Sequence, residues 1–192
     1  MRRNMRGVRG VLILCVGTAC AVSSADAEVI TFTYTGRGSG SIGQVNFTSR
    51  LFTLSAIGDT ANRVRIGNAW RISHGTASVS IDGIGTYAIG QPTSSAVNNT
   101  YQAVIFGDPV ANDALYVERP HPAFETWDLS SSIGPFTLSG EIWDTPLTTS
   151  GGTLSFLHGF SAGTYQAVVV PAPGAVLVGT LSVWGRAVRR RR

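Results

Sequence analysis

The stretch VITFTYTG, residues 29–36, puts Ile30, Phe32 and Tyr34 at alternate positions, with Thr31, Thr33 and Thr35 between them. Only an extended strand sends neighbouring side chains to opposite faces, so this period of two predicts a half-buried β-strand. The theme recurs along the chain. In ASVSIDGIG, Val79 and Ile81 oppose Ser78, Ser80 and Asp82, and TYQAVIFGD, ALYVE, PFTLSGEIW and GTYQAVVV follow, each bounded by Gly, Asp, Asn or Pro. In VNFTSRLFTLSA the apolar set moves from Val45 and Phe47 to Phe52 and Leu54, a change of parity that predicts a β-bulge or corner between them. No segment carries a 3.6-residue apolar stripe of helical length. The fold class expected is all-β, an antiparallel β-sandwich of jelly-roll or immunoglobulin-like form, with a barrel as the alternative. Ile30, Phe32, Val79, Ile81, Ile105 and Leu138 are the expected core, and Gly36–Ser41 is expected to be a flexible turn.

Charge separates the ends from the middle. All fifteen basic residues are Arg; four lie at positions 2–9 and five at 186–192. Between Glu28 and Pro173 six Arg face ten Asp and Glu, so this body carries about −4. An acidic body has no basic stripe to follow phosphates, and nucleic acid is excluded as a partner. MRRNMRGVRG followed by the twelve-residue apolar run VLILCVGTACAV and then Ala25-Asp26-Ala27 has the three parts of a secretory signal peptide. Residues 1–27 are assigned to it, with cleavage after Ala27 and Ala25 and Ala27 as the small residues signal peptidase requires. Cys15 and Cys20 both fall inside it, so the mature chain is expected to hold neither a disulfide nor a thiolate nucleophile.

The far end repeats the logic in reverse. Val170-Pro171-Ala172-Pro173 precedes an apolar stretch from Gly174 to Trp184, and Arg189, Arg190, Arg191 and Arg192 close the chain. Arginines beside a membrane segment favour the cytoplasmic face. The three parts in this order resemble the PEP-CTERM sorting signal of Gram-negative bacteria. The resemblance covers about 25 residues and departs from the family at Ala172, where the family has Glu, and at Arg186, which interrupts the apolar run. It implies a short C-terminal apolar helix that holds the precursor transiently in the inner membrane. It also implies processing by an exosortase-like membrane transpeptidase and delivery to the cell surface or exopolysaccharide matrix. The organisation expected is therefore 1–27 signal peptide, 28–169 β domain and 170–192 sorting signal, with helix confined to the two ends.

The body offers chemistry-bearing residues without a pattern that selects a reaction. His74, His121 and His158 are scattered, and His121 between two prolines reads as a rigid surface turn. Asp108, Asn112 and Asp113 carry oxygen ligands suited to Ca²⁺, yet their spacing matches no EF-hand, and such residues are common turn formers; no metal or cofactor is assigned. Glu118, Glu125 and Glu141 supply carboxylates that a glycosidase would need in a pair. Abundant Ser forms no G-x-S-x-G elbow. Trp70, Trp127 and Trp143 with Tyr87, Tyr101 and Tyr116 are either β core or a platform for sugar rings. The function expected is a non-enzymatic surface or matrix protein. The alternatives are a carbohydrate-binding module on the same export route and an extracellular hydrolase.

Overall fold

The computed structural model describes residues 28–110 and 113–170. The strands are β1 (Val29–Ile42), β2 (Val45–Asp59), β3 (Val64–Ile66), β4 (Ala69–Ile81), β5 (Gly85–Ala88) and β6 (Ser94–Asn98). They continue as β7 (Ala103–Asp108), β8 (Asp113–Glu118), β9 (Ile133–Ile142), β10 (Leu147–Thr149), β11 (Gly152–Phe156) and β12 (Gly159–Val170). Two 3₁₀ turns, Thr60–Asn62 and Pro122–Phe124, are the only helical elements among the described residues. The two terminal helices expected from the sequence lie outside those residues. Val170, placed in the sorting signal above, is the last residue of β12 and pairs with Val29.

The pairing runs β1-β12-β9-β8-β7-β6-β4-β2, and β2 returns to β1 along nearly their whole lengths, closing an antiparallel eight-stranded barrel. This corrects the expected sandwich. A sandwich keeps two facing sheets, whereas here β1 and β2 join what would be its edges. Alternation by two is common to both architectures and cannot separate them.

β1, β2 and β4 are long enough to serve a second ring. The N-terminal half of β1 pairs with β12 through Thr35, and from Gly40 its free edge pairs with β11 instead. β4 divides in the same way, pairing with β6 through Ala69–Ser73 and with β5 through Ser78–Ile81. A bridge between Ile89 and Thr149, flanked by hydrogen bonds of 2.8 Å from Ser150 N to Ala88 O and from Gly90 N to Thr148 O, joins β5 to β10. Since β10 pairs with β11, the chain closes again below the main barrel.

An interior eight strands wide is filled by side chains. Ile30, Phe32, Tyr34, Phe52, Leu54, Val79 and Ile81 are all 0–1 % exposed. Leu138 is half-buried against this core. Ile105 is a correction: Val104 and Phe106 take the inward positions of β7, and Ile105 faces out between Ala96 and Val117. The Gly36–Ser41 run is a second correction, because it lies within β1 rather than in a turn. A Cβ on Gly36 would stand 2.8 Å from the Phe52 ring and one on Gly38 2.9 Å from Phe156, so these glycines make room for aromatics.

The parity change in β2 is a bulge, as expected. Gly38 pairs with Arg50 and Gly40 with Phe47, leaving Thr48 and Ser49 opposite Ser39. Ser49 takes φ 49°, the left-handed conformation that a bulge can require. The segment Phe124–Leu129 covers one mouth of the barrel: Phe124, Trp127 and Leu129 are buried, and the Asn99 amide holds the carbonyls of Phe124 and Trp127 at 2.7 and 2.9 Å.

Candidate functional site

Where β1 changes partner from β12 to β11, the sheet forks. Gly36–Ser39 have no ladder partner on that side, and β12 from Gly159 to Gly163 keeps only β9. The gap is stitched by Arg37 N donating to Ser161 Oγ at 2.6 Å and by Leu157 N donating to Ser39 O at 2.8 Å. Between the stitches lies an open groove of about 590 Å³, within the size range of small-molecule sites. Arg37, His158, Phe160 and Ser161 are among its lining residues.

The rim is built by register. Glu141 pairs directly with Phe160, so both project from the outer face, and Trp143 follows the last residue of β9. One Glu141 oxygen accepts from Arg119 Nη2 at 3.1 Å and the other lies 3.2 Å from His158 Nε2. The Arg119 guanidinium sits 4.9 Å above the Phe160 ring, and His158 meets Trp143 at 5.6 Å and Phe160 at 6.0 Å. Trp143 is 41 % and Phe160 60 % exposed, with Leu157 beside them at 67 %. Phe and Trp left this wet, around a carboxylate already oriented by Arg119 and His158, present apolar faces and fixed polar groups together. The Trp143 and Phe160 rings incline by 64° and 69° to the His158 ring that both contact.

Inside the barrel lies a different constellation. The Tyr34 hydroxyl crosses the interior to within 2.9 Å of Ser95 Oγ, which is itself 2.9 Å from His74 Nε2; His74 Nδ1 is 2.8 Å from Thr93 Oγ1. His74 stacks on Phe106 at 5.3 Å, and burial lowers its pKa to about 3, so its ring is neutral. Glu118 is wholly buried near Tyr34, Tyr116 and Tyr165, and burial raises its pKa to about 7. That hydroxyl donates to the Thr35 carbonyl at 3.2 Å, and among the described residues neither Glu118 oxygen has a hydrogen-bond partner.

The residues singled out from the sequence part company. Glu118 and Glu141 lie one register step apart on adjacent strands but face opposite sides of the sheet, and Glu125 stands exposed after the second 3₁₀ turn. Trp127 and Tyr116 are core, and Trp70 is covered by Arg63 and Arg65, each 5.7 Å from its ring. Tyr87 is half-buried over Gly151, and Tyr101 projects from the β6–β7 turn. Among the described residues, Trp143 is the one aromatic of this set whose ring meets a groove-lining side chain, His158. His121 stands in a turn, as expected, stacked 4.0 Å from Phe136 and accepting from Ala123 N. The Asp108 carboxylate accepts from Gln91 and from Val110 N, and Asn112 lies outside the described residues, as do Ala25, Ala27, Pro171–Pro173 and Arg189–Arg192.

Phe160, His158 as a rim residue, Arg37 and Arg119 were missed. A signal existed for the first. On β12 the inward set is Ser161, Gly163, Tyr165 and Ala167, so Phe160 occupies the outward parity, where an aromatic is out of place.

Fold and groove together define an antiparallel eight-stranded β-barrel with a filled interior and a forked wall. No protein-family model matches the chain, and the searches of curated proteins and of solved structures each found no match.

Proposed function

We infer that this chain is an exported, non-enzymatic β-barrel that binds polysaccharide at the fork groove and reaches the cell surface or exopolysaccharide matrix through a PEP-CTERM-like tail. The observation that carries the binding half is the exposed pair Trp143 and Phe160 around the Arg119–Glu141–His158 cluster. Sugar rings have apolar C–H faces that pack on aromatics, and their hydroxyls suit a carboxylate and guanidinium already held in place. The export half rests on the signal segment, the Val170–Pro173 motif and the terminal arginines, with a signal helix and an apolar tail helix engaging the inner membrane and an exosortase-like enzyme acting on the tail.

One experiment with two arms tests this. Affinity electrophoresis of the full-length protein through gels loaded with bacterial exopolysaccharide should show retardation, and Trp143→Ala should remove most of it. Cell fractionation of a chain ending at Pro173 should find it in the medium, folded, while the full chain is retained or processed at the envelope. Unretarded wild type refutes the first half, and identical fractionation of the two chains refutes the second.

A further inference from the structure

Arg37 has no part in the rim cluster, and its surroundings are built with more care than an idle surface arginine needs. Its main-chain N–H is held by Ser161 Oγ at 2.6 Å, and one guanidinium nitrogen donates to the Ser49 carbonyl at 3.2 Å. That carbonyl is aimed by the β2 bulge, where Ser49 takes φ 49° and its N–H is held by Ser39 Oγ at 2.9 Å. A strained residue and two side-chain hydroxyls therefore fix the arginine at the groove. Among the described residues it forms no ion pair, and no Asp or Glu lines the groove. The nearby carboxylate of Glu141 is already shared by Arg119 and His158.

This local charge runs against the rest of the body, which carries about −4. A net-acidic domain repels a polyanion at long range, so it can hold one only where fixed positive charge overrides that field. A guanidinium with unclaimed donors in a planar fork fits a carboxylate better than it fits a neutral hydroxyl. We propose that the fork groove takes a uronate-bearing saccharide, its carboxylate against Arg37 and a neighbouring ring on Phe160 and Trp143. The proposal rests on the polysaccharide-binding reading above and adds the acidic sugar as its ligand class.

The test titrates purified full-length protein with polygalacturonate and with a neutral glucan of matched length. Polygalacturonate should bind about tenfold more tightly at low ionic strength, and the advantage should shrink as salt is added. Arg37→Gln should erase the advantage, while Arg37→Lys, which keeps the charge without the fork, should keep part of it. Circular dichroism of both variants confirms that the barrel is intact. Arg37→Gln binding polygalacturonate as wild type does, or wild type preferring the neutral chain, overturns the acidic-ligand proposal and leaves polysaccharide binding standing. Wild type that binds neither polymer overturns both.

Discussion

Glu118 and Glu141 sit on neighbouring strands, Glu118 opposite Gly140 and Glu141 opposite Val117. One step of register separates them, yet their side chains meet opposite solvents. Glu141 looks outward, where Arg119 and His158 claim its two oxygens. Glu118 looks inward among three tyrosines, with no donor for either oxygen among the described residues, and its pKa is raised to about 7 by burial. The pair shows how a strand's parity decides whether a carboxylate is an oriented polar group or a desolvated burden. Glu141 belongs to a surface that can meet a ligand. Glu118 is part of what the barrel's stability has to offset.

The largest way to disturb this comparison is at the step between them. Gly140 stands beside Tyr116, whose ring would overlap any added Cβ. Gly140→Ala should push Tyr116 out of its place beside Glu118 and destabilise the barrel by about 3 kcal/mol, since a close-packed interior resists added volume. Thermal unfolding should show a fall of roughly 10 °C. An unchanged melting temperature would mean that the interior is looser than the packing of Tyr116 implies.

An effect of similar size, reached only above neutrality, sharpens the contrast in protonation. A carboxyl whose folded pKa exceeds its unfolded value is destabilising when ionised. Below about 4.5 it is protonated in both states and costs nothing; as pH rises towards 7 the unfolded chain ionises and the fold loses stability. The loss should reach about 3 kcal/mol above neutrality. Glu118→Gln removes the titration, so denaturant melts at pH 4 and pH 8 should differ less for the variant than for wild type. Equal pH slopes for the two would show that Glu118 titrates normally.

The smallest effect on stability belongs to the outer carboxylate. Glu141→Gln breaks a partly exposed ion-pair cluster, and such pairs contribute less than about 1 kcal/mol. Its melting temperature should stay near that of wild type, while retardation on polysaccharide gels weakens because Arg119 and His158 lose their common partner. A variant that melts several degrees lower yet binds normally would make the cluster structural.

Much of the strand content was legible in the residues. Ile30, Phe32, Val79 and Ile81 are buried as the alternation requires, and the parity change between Phe47 and Phe52 is the bulge at Thr48–Ser49. Ile105 was misread because TYQAVIFGD is apolar at both parities around it, so period alone did not choose a face. The glycines of β1 were misread because a Gly-Ser run has the composition of a turn. Their purpose depends on Phe52 and Phe156, rings that come from other strands.

The sequence by itself determined the alternation, hence strands with one apolar face, and the division of charge between an acidic body and arginine-rich ends. These are local properties, carried by neighbours along the chain. Tertiary structure decided that the strands close into a barrel, that β1 forks between β12 and β11, and that Arg37, Glu141, His158 and Phe160 gather at that fork. Those outcomes depend on which edges pair across 100 residues or more, as Arg37 does with Ser161 at a separation of 124. Alternation with a period of two specifies the face a side chain takes and leaves open which strand will lie beside it.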